Sequence, residues 1–294
     1  MPFLKTTKNI ETIAAAAVFL SAAFWGLFWV PVRYFEANGI QGAWAVVLLY
    51  LPACVILLPL CVYDWRKQRE HFRLALLVGV LVGLGLSCYG VGIIHTSVAR
   101  ATLLFYLTPV WSTILAFFFL REPLRWNRWA AIILGLLGML LLVSHDRSAS
   151  LNIGDLLSLL SGVFWALGAT LIRANDETPI LGMTLSQFFF ASIFVIVIAG
   201  FLGPVELPDI AVSLPLLLVV VFASIFMMAP SVFLLFWASQ LLSPGRVGLL
   251  MMSEVIVALM SASYFLPQET LSALQWLGAG LILSAAAVEF SSET

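Results

Sequence analysis

Long apolar runs separated by short polar segments dominate the chain. A helix needs about 20 apolar residues to cross the hydrocarbon core of a membrane, and ten runs reach or approach that length. They are Thr12–Val32, Gly42–Tyr63, Leu74–Ile94, Ala101–Leu120, Trp129–Val143, Leu156–Ile172, Leu181–Leu202, Leu214–Leu242, Val247–Leu266 and Leu271–Val288. No segment alternates apolar and polar residues as barrel strands do. The pattern therefore predicts an all-α integral membrane protein with ten transmembrane helices.

Prolines interrupt several of these runs. A proline within a helix frees a backbone carbonyl one turn earlier and permits a bend. The prolines within or near the ends of the apolar runs are Pro31, Pro52, Pro59, Pro109 and Pro230. The third run instead contains glycines, and the spacing of Gly79 and Gly83 favours close helix packing. We therefore expect bent helices and at least one tight helix contact.

The composition supports a membrane protein and argues against other classes. Of the 294 residues, 62% are hydrophobic and only 10% are charged, whereas a soluble domain has about 25% charged residues. No basic cluster with interleaved aromatic residues indicates nucleic-acid binding. Cys54, Cys61 and Cys88 lie within apolar runs and lack metal-ligand spacing. Neither GxSxG, HExxH nor a phosphate-binding glycine loop is present. We predict no enzyme, no cofactor and no metal site.

Two distant pairs of segments indicate an internal duplication. Phe19–Arg33 and Leu159–Arg173 share six of fifteen residues, among them Trp25 and Trp165. A shift of 146 positions aligns Ser97–Pro123 with the segment that begins at Ser243. Similar shifts at two distant places indicate one duplicated unit. We predict two five-helix repeats, residues 1–147 and residues 148–294.

The positions of Lys and Arg predict the orientation of these repeats. If the N-terminus is cytoplasmic, eleven of the fourteen Lys and Arg residues lie in cytoplasmic segments. The positive-inside rule then places both termini in the cytoplasm. We predict that the protein lies in the inner membrane of a bacterium. Because five is odd, the second repeat enters from the opposite side and the two are inverted. Inverted repeats are typical of alternating-access carriers, which hold their substrate near the midplane.

Glu254 is the first candidate site residue. It lies near the middle of the ninth run, where an acidic side chain costs about 2.5–3.5 kcal/mol on insertion scales. That cost favours a facing partner, a water-filled cavity or a carboxyl that carries a proton. Glu254 would then be a proton site or an anchor for a substrate amine. The structural alternative is a neutral acid that bonds to a neighbouring helix.

Aromatic and small polar residues within the runs are further candidates. Thr108 occupies the position equivalent to Glu254 in the first repeat, and Met227 and Ser231 share a face of the eighth helix with Ser224. For the aromatic residues, a structural role and a role in a cavity remain open. With Glu254, the candidate substrate-binding residues are Trp25, Tyr89, Tyr106, Thr108, Trp111, Trp165, Met227 and Ser231.

The pattern LLFYLTPVWSTILAFFFLREPL (Leu103–Leu124), its equivalent around Glu254 and the Trp-bearing first helix of each repeat resemble the EamA-type carriers of the drug/metabolite transporter (DMT) superfamily. Within that superfamily they are similar to the YddG-like amino-acid and metabolite exporters. The resemblance implies a basket of two inverted five-helix repeats around a central cavity. It places Trp25, Tyr89, Tyr106, Trp111, Trp165, Met227 and Glu254 on that cavity. The family's second motif reads Glu-Pro, so Val255 predicts a less bent ninth helix here.

The preferred function is export of amino acids or similar small metabolites, with protons as a possible coupling ion. An apolar, aromatic cavity with one carboxyl suits zwitterions or hydrophobic amines. Nucleotide sugars and phosphate esters would need Arg or Lys at the midplane, whereas every Arg lies at a helix end or in a loop. Those solutes, cationic drugs and a membrane sensor that moves no solute are less favoured hypotheses.

The predicted topology is testable by cysteine labelling. A cysteine introduced near Arg147 should react with a membrane-impermeant thiol reagent added to intact cells, because this loop is predicted to lie outside. Reaction from the cytoplasmic side only would overturn the topology.

Overall fold

The structure is a computed structural model that describes residues 2–40, 42–96, 98–123, 125–143, 151–205, 213–265 and 272–291. Within these ranges all regular secondary structure is helical. The helices are α1 (Pro2–Gly26), α2 (Trp29–Ala37), α3 (Ala43–Tyr63), α4 (Trp65–Glu70), α5 (Phe72–His95), α6 (Val98–Phe105), α7 (Thr108–Leu120), α8 (Trp126–Val143), α9 (Ile153–Ala174), α10 (Ile180–Leu202), α11 (Leu214–Phe222), a π-helical segment (Ala223–Met228), α12 (Ala229–Leu241), α13 (Pro244–Met251), α14 (Ser253–Phe265) and α15 (Ala273–Ser291). The predicted all-helical class is confirmed.

Six helical stretches among the described residues are long and apolar enough to cross a membrane. They are Asn9–Phe35, Ala43–Tyr63, Phe72–His95, Ile153–Ala174, Ile180–Leu202 and Leu214–Leu241. Thr108–Leu120, Trp126–Leu141 and Trp276–Val288 are shorter apolar helices. The chain is an integral membrane protein. The count of ten spans stays a prediction, because the fourth and ninth runs are divided between two helices each.

Three helix irregularities include the residue four positions before a proline. Proline lacks an N–H and its ring clashes with the carbonyl of the residue four positions earlier. Helix α1 gives way to α2 at Leu27, four residues before Pro31, and α6 ends at Phe105, four residues before Pro109. Pro230 similarly follows the π-helical segment, which contains the residue four positions earlier. These irregularities are encoded locally.

A fourth break has no proline. Helix α13 ends at Met251 and α14 begins at Ser253, although Val255 stands where the first repeat has Pro109. The 146-residue shift that aligns the repeats places Met252 on Tyr106, which is where the fourth run breaks. The ninth helix is therefore interrupted at the equivalent position despite the substitution of valine for proline.

Side-chain hydroxyls satisfy carbonyls at both equivalent breaks. Thr108 Oγ1 donates a hydrogen bond to the Phe105 carbonyl oxygen. In the second repeat, Ser253 Oγ donates to the Leu250 carbonyl oxygen over 2.8 Å. A hydroxyl that bonds backward in this way competes with the helical pattern and favours a bend. Both breaks therefore keep their exposed carbonyls bonded within the protein.

The helices pack around a buried centre. Helix α5 lies against α9 and α10, α8 against α15, and α1 against α12 and α14. A Cβ atom at Gly79 would lie 2.3 Å from Ser186 Cβ, and one at Gly83 would lie 2.9 Å from the Ala191 nitrogen. The predicted packing role of these glycines is thereby confirmed. Every residue of α13 is buried, so this short helix lies inside the bundle.

Helix α3 continues unbroken through Pro52 and Pro59, and a hydrogen bond beside Pro52 supplies a test of internal bonding. The Ala53 N–H donates to Ser224 Oγ of the π-helical segment over 2.9 Å. Ser224→Ala leaves this buried donor without its acceptor, which should lower the free energy of unfolding by about 1–3 kcal/mol. Ser284→Ala is the matched control, because Ser284 is exposed and bonds within its own helix to Gly280. Thermal unfolding in detergent measures both; equal midpoints for the two variants would contradict the prediction.

Candidate functional site

Glu254 lies in the first turn of α14, directly after the break between α13 and α14. Its side chain is half-buried, and its carboxyl lies beside the hydroxyl of Tyr106. That hydroxyl donates to the carbonyl oxygen of Met251 over 3.2 Å. Tyr106 itself lies at the other break, between α6 and α7. One side chain therefore joins the equivalent breaks of the two repeats and contacts the carboxyl between them.

A second tyrosine extends this group. Tyr89 of α5 lies close enough to Glu254 for the two groups to interact electrostatically. Its hydroxyl is 3.0 Å from Thr102 Oγ1, and its ring centroid is 5.1 Å from that of Phe105. We call Tyr89, Tyr106 and Glu254 the carboxyl–tyrosine cluster. Its members come from the third, fourth and ninth predicted spans.

The break between α1 and α2 lies beside this cluster. A Cβ atom at Gly26 would lie 2.5 Å from the Glu254 carbonyl oxygen, so only glycine permits this approach. The neighbouring Trp25 stacks on Phe28 with ring centroids 5.7 Å apart. Its indole nitrogen is buried and has no hydrogen-bond partner among the described residues. Trp29 Nε1, one helical turn on, donates to Ser261 Oγ of α14 over 3.0 Å. Three interrupted helices thus meet around Glu254.

Thr108 and Trp111 lie on the α7 side of the first-repeat break. Thr108 is buried and packs against α9, where a Cβ atom at Gly162 would lie 2.9 Å from the Thr108 hydroxyl oxygen. Trp111 is half-buried, and its buried indole nitrogen also lacks a partner among the described residues. Unpartnered buried donors are uncommon in folded proteins. Two of the candidate tryptophans therefore present this feature next to helix breaks.

The remaining candidates lie in helix contacts outside the carboxyl–tyrosine cluster. Trp165 is buried in α9, and Met227 is buried in the π-helical segment. Ser231 is fully buried in α12, with its hydroxyl oxygen 3.0 Å from that of Ser21 in α1. The structure thus places Ser231 in a link between the first and eighth spans. Trp165, Met227 and Ser231 stay candidates.

Two residues near the cluster escaped the sequence analysis. Thr102 precedes Tyr106 by one helical turn, so residue spacing contains a signal that would have identified it. Tyr50 of α3 is fully buried near Tyr89, and its ring centroid lies 5.5 Å from that of Phe188. No sequence signal distinguishes Tyr50 from other aromatic residues in the runs. Among the described residues, no group of His, Cys, Asp and Glu could hold a metal ion.

A cavity of about 180 Å³ lies elsewhere, at the end of the bundle where α8 and α13 begin. It is lined by Glu11, Glu122, Pro123, Arg125, Arg128, Arg173, Leu241, Leu242, Ser243 and Arg246. None of the nine candidate residues lines it. The cavity is therefore distinct from the polar region at the helix breaks.

Known proteins resemble the chain in sequence and in fold. It is 26% identical over 147 residues to a protein of Rickettsia bellii named "S-adenosylmethionine uptake transporter", an alignment that covers 49% of each chain. The chain thus spans about half the length of this relative. It is 27% identical over 209 residues to the "Uncharacterized transporter YyaM" of Bacillus subtilis, covering 67% of each chain. One solved crystal structure superposes with a TM-score of 0.75 at 16% identity, covering 95% of this chain and 97% of the other. That likeness concerns the fold alone.

The EamA-like transporter family matches the chain twice, at residues 12–144 and at residues 152–290. Together the two matches include most of the sequence. Tyr89 and Tyr106 of the carboxyl–tyrosine cluster lie in the first match, and Glu254 lies in the second. The resemblance predicted from the motifs is therefore confirmed, and so is the prediction that the protein is not an enzyme. The chain belongs to the EamA-like transporter family.

Proposed function

We propose that the chain is a secondary carrier that exports amino acids or similar small metabolites across the bacterial inner membrane by alternating access. The observation that carries this proposal is the position of Glu254. It lies where three interrupted helices meet and beside the link between the two repeats. Irregular backbone at membrane depth is tolerated where it is buried in protein or lines a water-filled cavity. Interrupted helices also form the substrate and ion sites of many transporters.

Helix packing supports the two-repeat architecture, residues 1–147 and 148–294, on which alternating access depends. Helix α5 packs on α9, and its proposed repeat equivalent α12 packs on α1. Likewise α7 packs on α9, and α14 packs on α1. Helices α8 and α15, which are equivalent to each other, form a pair. In each pair of contacts, both helices of one contact are replaced by their proposed repeat equivalents in the other. This pattern fits a pseudo-twofold axis that relates two inverted halves.

The Tyr106 hydroxyl offers a route from proton binding to helix movement. It has one hydrogen to donate. When Glu254 is charged, this hydrogen bonds to the carboxylate and the Met251 carbonyl loses its donor. When Glu254 carries a proton, the carboxyl donates to the Tyr106 oxygen, and Tyr106 donates to Met251. Protonation of Glu254 thus closes the link between the two breaks, and deprotonation opens it. A carrier coupled to protons would use this exchange.

Substrate chemistry is inferred from the cluster and from the named relatives. A carboxyl flanked by tyrosine and tryptophan rings suits an ammonium or another organic cation, since aromatic faces attract cations. Among the described residues, no arginine is found to act on Tyr89, Tyr106 or Glu254, which disfavours nucleotide sugars and phosphate esters. S-Adenosylmethionine, named for the Rickettsia relatives, is an amino acid with a sulfonium cation. This match makes its uptake the second candidate function, ahead of cationic drugs and of a membrane sensor.

Glu254→Gln tests the role of the carboxyl. The variant should lose the dependence of flux on pH and reduce transport about tenfold or more, equivalent to about 1.4 kcal/mol of barrier. Counterflow in proteoliposomes with radiolabelled amino acids and S-adenosylmethionine, under imposed and collapsed proton gradients, measures both effects. Glu177→Gln is the matched control, because Glu177 is exposed between α9 and α10.

The same assay separates the candidate functions. Flux that retains its pH dependence in Glu254→Gln would remove the proposed proton role. Counterflow of S-adenosylmethionine without counterflow of other amino acids would favour the second candidate. Absence of flux for every solute in the wild-type protein would favour a membrane sensor that moves no solute.

Tyr106→Phe tests the proposed route from proton to helix. The variant keeps the ring but loses the hydroxyl that bonds Met251 and Glu254, so the pH dependence should weaken while Glu254 remains. Removing this buried bond should also lower the free energy of unfolding by about 1 kcal/mol. Tyr264→Phe is the control, because Tyr264 is 81% exposed on α14. A Tyr106→Phe protein with the pH profile of the wild type would contradict the route.

A further inference from the structure

The cavity at the α8 and α13 ends combines both repeats. Its walls come from the start of the first span, the segment after α7, the start of α8, the end of α9 and the link between α12 and α13. These residues lie at or just beyond the ends of the first, fourth, fifth, sixth, eighth and ninth predicted spans. The predicted topology places this end in the cytoplasm. The cavity thus lies between the two repeats, separate from the carboxyl–tyrosine cluster.

Positive charge predominates in this cavity. Among the described residues that line it, four are arginines and two are glutamates. Arg128 and Arg246 are only 8% and 4% exposed. Charged groups at such depth are unfavourable unless opposite charge and hydrogen bonds compensate them. Arg128 pairs with Glu122 over 3.2 Å. Arg246 pairs with Glu11 over 3.6 Å. Arg125 and Arg173 add two further positive charges, so the lining keeps a net positive charge that favours an anion in the cavity.

Hydrogen bonds hold the guanidinium groups at the cavity wall. Arg128 Nη1 lies 3.2 Å from Glu122 Oε2, and its Nη2 donates to Ser243 Oγ over 2.9 Å. Arg173 Nη1 donates to the Gln240 carbonyl oxygen over 2.6 Å. The rotamers are therefore fixed before any ligand arrives, which reduces the entropy lost on binding. The Arg128–Ser243 bond also joins the two repeats directly.

Two helix N-termini add to the positive potential. Arg128 is the third residue of α8, and Arg246 is the third residue of α13. The N-terminus of a helix carries a partial positive charge and favours acidic residues, and Glu or Gln is common at the third position. An arginine at that position in both helices opposes this preference. A bound anion would offset both unfavourable placements.

We propose that this cavity binds one small anionic group, a carboxylate or a phosphate. The planar fork of arginine matches both groups with paired hydrogen bonds. The cavity of about 180 Å³ accommodates one such group. The group belongs to a cytoplasmic metabolite or to the headgroup of an anionic lipid. The site requires no transport, so its failure would leave the proposed function intact.

Thermal unfolding of the purified full-length protein in phosphatidylcholine nanodiscs tests the site. Inorganic phosphate, titrated against chloride at constant ionic strength, should raise the midpoint saturably. Arg125→Gln should weaken the apparent affinity for phosphate about tenfold, because the variant loses one charge-assisted hydrogen bond to the anion. Arg125 is exposed, so the substitution spares the core. Arg66→Gln, an exposed arginine on α4, should keep the wild-type response.

A second set of nanodiscs identifies the source of the group. If a lipid headgroup occupies the cavity, phosphatidylglycerol should raise the midpoint of the wild type more than that of Arg125→Gln, and phosphate should then add little. If a free anion occupies it, the phosphate response should persist in phosphatidylglycerol. Either result supports the site. A wild-type protein that responds to neither, or an Arg125→Gln protein that responds as the wild type does, would overturn it.

Discussion

Backbone groups released at helix breaks have no solvent partner in the hydrocarbon core, and this constraint organises the protein. Each break must find its acceptors and donors inside the bundle. Thr108 and Ser253 satisfy carbonyls of the helices that precede their own. Tyr106 satisfies the carbonyl of Met251 across the repeat boundary. The two breaks therefore depend on each other, which requires the fourth and ninth spans to meet at the same depth.

The two predicted repeats differ from each other at the carboxyl–tyrosine cluster and at the adjacent break in the first span. Thr108 of the first repeat becomes Glu254 in the second, so one carboxyl stands at the junction. The first span is interrupted after Gly26, whereas its equivalent α9 continues from Ile153 to Ala174. Pro31 explains the difference, because Leu171 occupies its repeat-equivalent position. The two predicted repeats thus form one site with a single carboxyl, and the first helices of the two repeats differ beside it.

Two polar regions connect the repeats at different depths. The carboxyl–tyrosine cluster joins them within the bundle, and the Arg128–Ser243 bond joins them at the end where α8 and α13 begin. Helix α13 runs between these regions and is buried along its whole length. A shift of α13 would therefore disturb both at once. This gives the short helix a central place in any exchange between conformations.

The sequence by itself determined the membrane class and predicted the internal duplication and the prominence of Glu254, because run length, repeat spacing and a lone carboxyl can be read directly from the sequence. It also encoded the breaks that precede Pro31 and Pro109, since proline acts on the residue four positions earlier. Only the tertiary structure decided the break at Met252, the Tyr106–Met251 bond and the convergence of arginines around one cavity. The bond between Tyr106 and Met251 spans 145 positions, and the arginines come from three different helices and a connecting segment. Such features depend on which helices become neighbours.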